Sequence, residues 1–182
     1  MRHELEMPVN PPLEPLNVIA ARIGGTLRAR GQTVAVAESS AGGLVSAALL
    51  AIPGASAFFL GGAVVYSRRA GKALMGLTAA DMEGLRAETE PYARMMAARV
   101  RDMHRATWGL CESGAAGPSG SPYGDAAGHV CVAVAGDPER DAVHSRTLAT
   151  GQSDRAINMD LFARELLRQF DEVLQRGSAA AL

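Results

Sequence analysis

Several side chains with useful chemistry sit just beyond short apolar runs. Ser39 follows Val34–Ala37 in the stretch Val-Ala-Val-Ala-Glu-Ser-Ser-Ala-Gly-Gly-Leu, and Tyr66 closes the run Phe58–Tyr66, with Lys72 shortly after it. Ser113 closes Trp108–Ser113, and Asp154-Arg155 opens the last apolar-periodic segment. A serine hydroxyl attacks a carbonyl at neutral pH only with a base beside it, and a lysine whose charge is disfavoured by burial is such a base. A tyrosine between the two relays the proton or holds the amine in place. An amide carbonyl under attack becomes an oxyanion that needs preorganised donors. The backbone N–H groups of Ser40 to Gly43, or the Ser113 hydroxyl, are the candidates, each typically contributing about 3 kcal/mol. Arg155 near a helix start suits a substrate phosphate or carboxylate.

Each residue also fits a plainer role. Ser39 and Ser40 suit helix caps, and Tyr66 suits a surface amphipath. Ser113-Gly114, leading to Gly117, suits a turn as well as a ligand cradle. Arg155 suits an ion pair with Glu139 or Asp141, and Glu112 beside Ser113 suits a structural role. Lys72 would pass for a solvated helix residue, except that it is the only lysine among 18 basic residues. Arginine cannot give up its proton under working conditions, so a solitary lysine raises the expectation of a special task.

The elements that must position these groups follow from periodicity. Leu16, Ile19, Ala20, Ile23 and Leu27 recur at helical spacing, with Gly31 as the C-cap. Thr33–Ala37 is a continuous apolar strand covered on both faces, and a turn of small residues leads from it into the helix Leu44–Ala51. Strand, turn and helix in that order aim backbone N–H groups at one point, at the strand's carboxyl end where open α/β sheets place ligands. Phe58–Tyr66 is a strand whose Gly61-Gly62 marks a bulge or the close approach of another backbone. Arg68–Met75 is a short helix, Thr78 and Asp81 form a capped turn, and Thr89-Glu90-Pro91 opens a helix to His104. After the strand Trp108–Ser113 comes a Gly/Pro/Ser loop to Asp125. His129–Ala135 and Val143–Ala149 form an antiparallel hairpin across the turn Gly136–Asp141. Ser153 is the expected N-cap of the last helix, in which Ile157, Leu161, Phe162, Leu166, Leu167, Phe170 and Leu174 mark the apolar face. The sum is a single-domain, three-layer α/β/α sandwich with a mixed sheet over residues 15–176, between an irregular arm (1–14) and a frayed tail (177–182).

Composition narrows the function. The chain of 182 residues has 48% hydrophobic and 20% charged residues and a net charge of −1, so no electrostatics favour nucleic acid or an anionic membrane. Aromatics at 4% leave little surface for stacking bases. No apolar run is long enough for a membrane span, and the polar, proline-rich leader is unlike a signal peptide. A cytoplasmic protein follows, with Cys111 and Cys131 as buried free thiols. His104, His129 and His144 are too scattered for a metal site, and no cofactor is implied. Phe58-Phe59-Leu60 and the helix carrying Met95–Met103 are the apolar faces that a homodimer would use.

Ala37-Glu38-Ser39-Ser40-Ala41-Gly42-Gly43 resembles the Glu-Ser-Cys-Thr-Gly-Gly motif of the CinA C-terminal domain, the nicotinamide mononucleotide (NMN) deamidase family. Pro53-Gly54-Ala55-Ser56, Gly61-Gly62, Val65-Tyr66-Ser67 and Ser113-Gly114-Ala115-Ala116-Gly117-Pro118 match further blocks, in order, across residues 16–175. The resemblance implies metal-free hydrolysis of the NMN carboxamide to nicotinic acid mononucleotide and ammonia. It implies Ser39 as nucleophile, Tyr66 as helper, Ser113 as an oxyanion or substrate contact, and Arg155 near the phosphate. Ser40, Gly42, Gly43, Gly114 and Gly117 complete the expected substrate-binding set. Two departures stand out. Ser40-Ala41 replaces Cys-Thr, and the family's lysine position is Gly71, so Lys72 must serve through a one-residue shift, a rotation of about 100° on a helix. A pyridine-nucleotide amidase, a serine amidase or esterase with another substrate, and a nucleotide-binding module without turnover are the three readings that follow.

Overall fold

Val34-Ala35-Val36-Ala37 alternates a larger with a smaller apolar side chain, and that alternation decides how the layers stack. The computed structural model describes residues 14–136 and 142–179. Its elements run α1 (Leu16–Arg30), β1 (Val34–Glu38), α2 (Leu44–Leu50), β2 (Phe59–Val64) and α3 (Arg68–Met75). They continue with α4 (Glu90–His104), β3 (Trp108–Gly114), β4 (His129–Ala135), β5 (Val143–Ala149) and α5 (Arg155–Ala179). The five strands form one sheet in the order β2-β1-β3-β4-β5. β1 lies parallel to β2 and β3, while β4 is antiparallel to both β3 and β5. This is the three-layer sandwich with a mixed sheet expected from the sequence.

One sheet face carries Val34, Val36, Leu110, Val130, Val132 and Val134, packed on α1, α2 and α5 through Ile23, Leu49, Phe162 and Phe170. The other face carries Ala35, Ala37, Cys111, Cys131, Ala133 and Ala135, under Met75 of α3 and Ala93, Met96, Ala97 and Val100 of α4. Both faces are covered, so the inner strands read as unbroken apolar runs. The small residues let α4 approach the sheet closely. A Cβ on Gly109 would lie 2.0 Å from the Ala97 carbonyl oxygen.

Strand β2 has the irregularity its glycine pair implied, while the groups that approach the pair closely are side chains and not another backbone. Its register slips between the partners of Val34 and Ala35, which are Phe59 and Gly61. A Cβ on Gly62 would meet Ser46 Oγ at 2.3 Å, and one on Gly61 would meet His104 Nε2 at 2.7 Å. Gly31 closes α1 at φ 60°, and the Thr78 and Asp81 side chains bond each other's backbone N–H groups at 2.8 and 3.2 Å. The cap of α5 differs from expectation. Asp154 Oδ1, not Ser153, accepts from the Ile157 N–H at 2.9 Å, because the helix begins at Arg155.

Helix α5 continues to Ala179, into the stretch read as a frayed tail. Residues 1–13 of the expected arm, 137–141 of the hairpin turn and 180–182 lie outside the described residues. Among the described residues no helix is long and apolar enough to cross a membrane. Cys111 and Cys131 are free and buried.

Gly109→Ala drives a methyl group into the backbone of α4 and is expected to destabilise the fold by about 3 kcal/mol. A thermal melt should show a midpoint lower by roughly 6–12 °C for a chain of this size.

Candidate active site

β1 and β3 are parallel neighbours, so their carboxyl ends finish together, and each brings a glutamate there. Glu38 and Glu112 are both 1% exposed. Each lies two residues beyond a side chain of the α1/α2/α5 face (Val36 and Leu110), so strand alternation sends both carboxyl groups to that face. Glu38 accepts from the N–H groups of Gly43, Val45 and Ser46 at 3.0, 3.0 and 2.8 Å, and from the Ser46 hydroxyl at 2.6 Å. The N-cap position of α2 is Gly43, which has no side chain to offer, so Glu38 satisfies the helix's first donors from inside the sheet. Glu112 accepts from the Ser39 and Ala41 N–H groups at 3.0 and 2.8 Å and from the Ser40 hydroxyl. Burial pushes the Glu112 carboxyl up, the bonds from Ser40, Ala41 and Ser39 oppose that, and nearby Glu38 adds to it.

These two carboxyl groups shape the corner that presents Ser39. Gly42 and Gly43 supply the left-handed turn at φ 67° and 99°. Ser39 is half-buried, and its hydroxyl has no protein partner among the described residues. It faces a cleft of about 780 Å³, whose lining also includes Tyr66, Lys72, Ser113, Gly114, Gly117 and Arg155. Eight of the ten expected site residues, Ser40 among them, thus meet around one hollow.

Several expected roles change. Ser40 is 3% exposed and its hydroxyl is given to Glu112, so its side chain braces the corner. Gly42 and Gly43 do not line the cleft. Of the expected oxyanion donors, the Ala41, Gly42 and Gly43 N–H groups are taken by Glu112, the Ser39 carbonyl and Glu38. That leaves the Ser40 N–H and the Ser113 hydroxyl. The Ser113 oxygen accepts from the Glu88 N–H at 3.0 Å, so its own hydrogen is free to be donated.

Lys72 is exposed at the cleft rim, not buried as expected. Its helix is α-helical throughout, so the backbone does not absorb the one-residue shift from Gly71. Gly71 is buried, and a Cβ there would lie 2.9 Å from Leu77 Cδ1. Tyr66 is 63% exposed, and its hydroxyl accepts from Arg155 Nη2 at 3.0 Å. Arg155 Nη1 donates to the Gly117 carbonyl at 2.7 Å, just before the cis Gly117–Pro118 bond. Arg155 therefore ties β2's end to the loop after β3; its expected partners Glu139 and Asp141 lie outside the described residues. Gly114 and Gly117 are there for close approach, since a Cβ on either would meet the His129 or Ser153 carbonyl oxygen at 2.5 or 2.6 Å.

The cleft also holds residues that the sequence did not single out, notably Arg68, Glu88 and Tyr92. Arg68 shares the helical face of Lys72 four residues on, a spacing visible in the sequence. Nothing local marked Glu88. The loop from Ser119 to Asp125 is fastened to the segment before α4 by Arg86, which holds Asp125 through bonds of 2.6 and 3.0 Å and keeps its carboxyl well below the usual range.

Glu112→Gln keeps the side-chain volume but turns an amide NH2 toward hydrogen-bond donors, and should cost about 2 kcal/mol in urea denaturation at pH 7. The folded-state carboxyl titrates above its unfolded value, so its proton's contribution to stability is complete below the ordinary carboxylate range. That contribution fades as pH rises through the raised value. The advantage of the native chain over Glu112→Gln should therefore shrink from acidic to neutral pH.

Residues 16–174 match the CinA C-terminal domain. The CinA-like protein of Synechococcus sp. (strain CC9902) is 42% identical over 120 residues, which are 66% of this chain and 29% of that protein. The CinA-like protein of Myxococcus xanthus (strain DK1622) is 41% identical over 156 residues, 82% of this chain and 36% of that protein. The chain spans about a third of the length of these curated relatives. Among solved structures, the competence or damage-inducible protein from Enterobacter asburiae superposes with a TM-score of 0.80 at 28% identity, over 88% of this chain and 99% of that one. The competence/damage inducible protein CihA from Agrobacterium tumefaciens gives 0.79 at 26% identity, over 93% of this chain and 99% of that one. With its sheet order, its serine corner and this match over nearly the whole domain, the chain belongs to the CinA C-terminal domain family.

Proposed function

We propose that the chain is an amidohydrolase that cleaves the carboxamide of NMN, or of a similar pyridine nucleotide, to the acid and ammonia. The observation that carries this reading is the Ser39 hydroxyl at the carboxyl end of β1, bonded by no protein group among the described residues and lining the same cleft as Tyr66, Lys72, Ser113 and Arg155. The Ser39 oxygen attacks the amide carbon, and its proton passes to the Lys72 amine directly or through the Tyr66 hydroxyl. The Ser40 N–H and the Ser113 hydroxyl receive the oxyanion. Collapse of the adduct expels ammonia, which takes up the proton, and water then cleaves the ester on Ser39. Arg68 and Arg155 supply positive charge for the substrate's phosphate.

A second reading, a nucleotide-binding module without turnover, is favoured by two observations. Lys72 is exposed, and the Tyr66 hydroxyl is engaged by Arg155. Ammonia release from NMN separates the two readings. Under the hydrolase reading, Ser39→Ala should lower kcat by a factor on the order of a thousand or more. Lys72→Arg should lower it by about a hundredfold without changing the melting temperature, because the residue is exposed. Full activity of Lys72→Arg removes the amine from the mechanism. Tight NMN binding with no ammonia over hours identifies the binding module.

A further inference from the structure

Two described residues other than glycine take a positive φ. Arg105, at φ 50°, ends α4 as a left-handed C-cap, an ordinary place for that conformation. Glu88, at φ 64°, closes no helix. A residue with a Cβ is rarely found there, and the strain persists only where the surroundings hold it. Three bonds hold the Glu88 backbone. Its N–H donates to Ser113 Oγ at 3.0 Å, and its carbonyl accepts from His129 Nε2 at 2.9 Å and from Cys131 Sγ at 3.4 Å.

His129 is the stronger of the two donors to that carbonyl. A carbonyl oxygen only accepts, so His129 Nε2 carries the hydrogen. Asp125 Oδ1 stands 3.9 Å from the same nitrogen, beyond hydrogen-bond reach. The Cys131 thiol is a weak donor, and it also lies 3.4 Å from Thr147 Oγ1. His129 opens β4, next to β3 in the sheet, and shares with Cys131 the face on which α4 lies. From the sheet it reaches the segment just before α4.

Ser113 is where this arrangement meets the site. A serine hydroxyl rotates to suit its surroundings unless a bond fixes it. The Glu88 N–H occupies one lone pair of Oγ, and among the described residues Oγ donates to no protein acceptor. That leaves its hydrogen for a group in the cleft, which Ser113 lines. A donor aimed before the substrate arrives stabilises developing charge without having to reorganise. With a negative φ, Glu88 could not point its N–H at Ser113 and its carbonyl at His129 at once.

We propose that His129 is a positioning residue: by bonding the Glu88 carbonyl it holds the left-handed turn, and the turn aims the Ser113 hydroxyl into the cleft. That the hydroxyl receives an oxyanion rests on the hydrolase reading above; the hold on the turn does not.

The test is ammonia release from NMN by the full chain. His129→Phe keeps a ring of similar size but donates nothing. Outright loss of an oxyanion donor costs about a hundredfold or more, so a mis-aimed one is expected to lower kcat by about tenfold, with KM within about twofold. His129→Gln, whose amide donates from nearly the same place as Nε2, should keep kcat within about threefold of the parent. Glycine takes the left-handed turn without strain. The loss caused by His129→Phe should therefore persist at about tenfold in a Glu88→Ala background and shrink to within about threefold in a Glu88→Gly background. A merely structural histidine would show no such difference between alanine and glycine. His129→Leu takes the place of His129→Phe if the latter folds poorly. Unchanged kcat, a loss carried by KM, a His129→Gln variant as impaired as His129→Phe, or equal losses in the two backgrounds overturns the role of His129 and leaves the hydrolase reading standing. If the parent releases no ammonia, the hydrolase reading fails, and amide hydrogen exchange followed by NMR decides the hold on the turn. The Glu88 N–H should exchange at least about tenfold faster in His129→Phe than in the parent or in His129→Gln. Equal rates overturn it.

Discussion

Two buried carboxyl groups at the ends of adjacent parallel strands hold the rest of the site in place. Glu38 and Glu112 together bind five backbone N–H groups and two hydroxyls between Ser39 and Ser46. The turn between β1 and α2 would otherwise bury several donors with no strand or helix partner, which a folded chain does not tolerate. Satisfying them from below leaves the top of the corner open. Among the described residues the Ser39 hydroxyl has no protein partner, and its neighbours' hydrogen bonds are directed into the protein.

The same division of labour recurs around the cleft. Arg155 fastens the end of β2 to the loop after β3, and Arg86 fastens the far part of that loop to the segment before α4. Asn158, fully buried, donates to the Ala116 and Gln152 carbonyls at 2.8 and 2.9 Å and so anchors the loop's base to α5. Loops that carry glycine and proline are thus held by side chains from regular elements, which suits a preorganised site. The exposed bonds contribute modestly to stability, and their main effect is on geometry.

Much of the architecture was legible in the chain, because helices and buried strands leave periodic apolar patterns. Helices α1, α3 and α4 and strands β4 and β5 fall where spacing, caps and β-branched residues placed them. The apolar run ending in Glu-Ser-Ser marked the corner for the same reason, since a polar triplet between a strand and two glycines has few other uses. The cap of α5 was read one residue early because Ser153 and Asp154 are both good N-caps, and only the path of the preceding loop chooses between them. Gly42 and Gly43 were expected at the substrate and instead spend their N–H groups within the corner, because an N–H shows its partner only in three dimensions.

The sequence by itself determined the layered α/β class and the approximate place of each strand, and it supplied a short list of candidate reactive groups. These depend on local periodicity and on residue type, both of which are written along one dimension. Only the tertiary structure decided that Glu112 reaches across 73 positions to the Ser39 N–H, that Tyr66 pairs with Arg155, and that Lys72 stays exposed. It also brought Glu88, which no motif marked, into the cleft. Contacts between distant positions follow from how the sheet is ordered and twisted, and a hydrogen bond's partner is chosen only after the chain has folded back on itself.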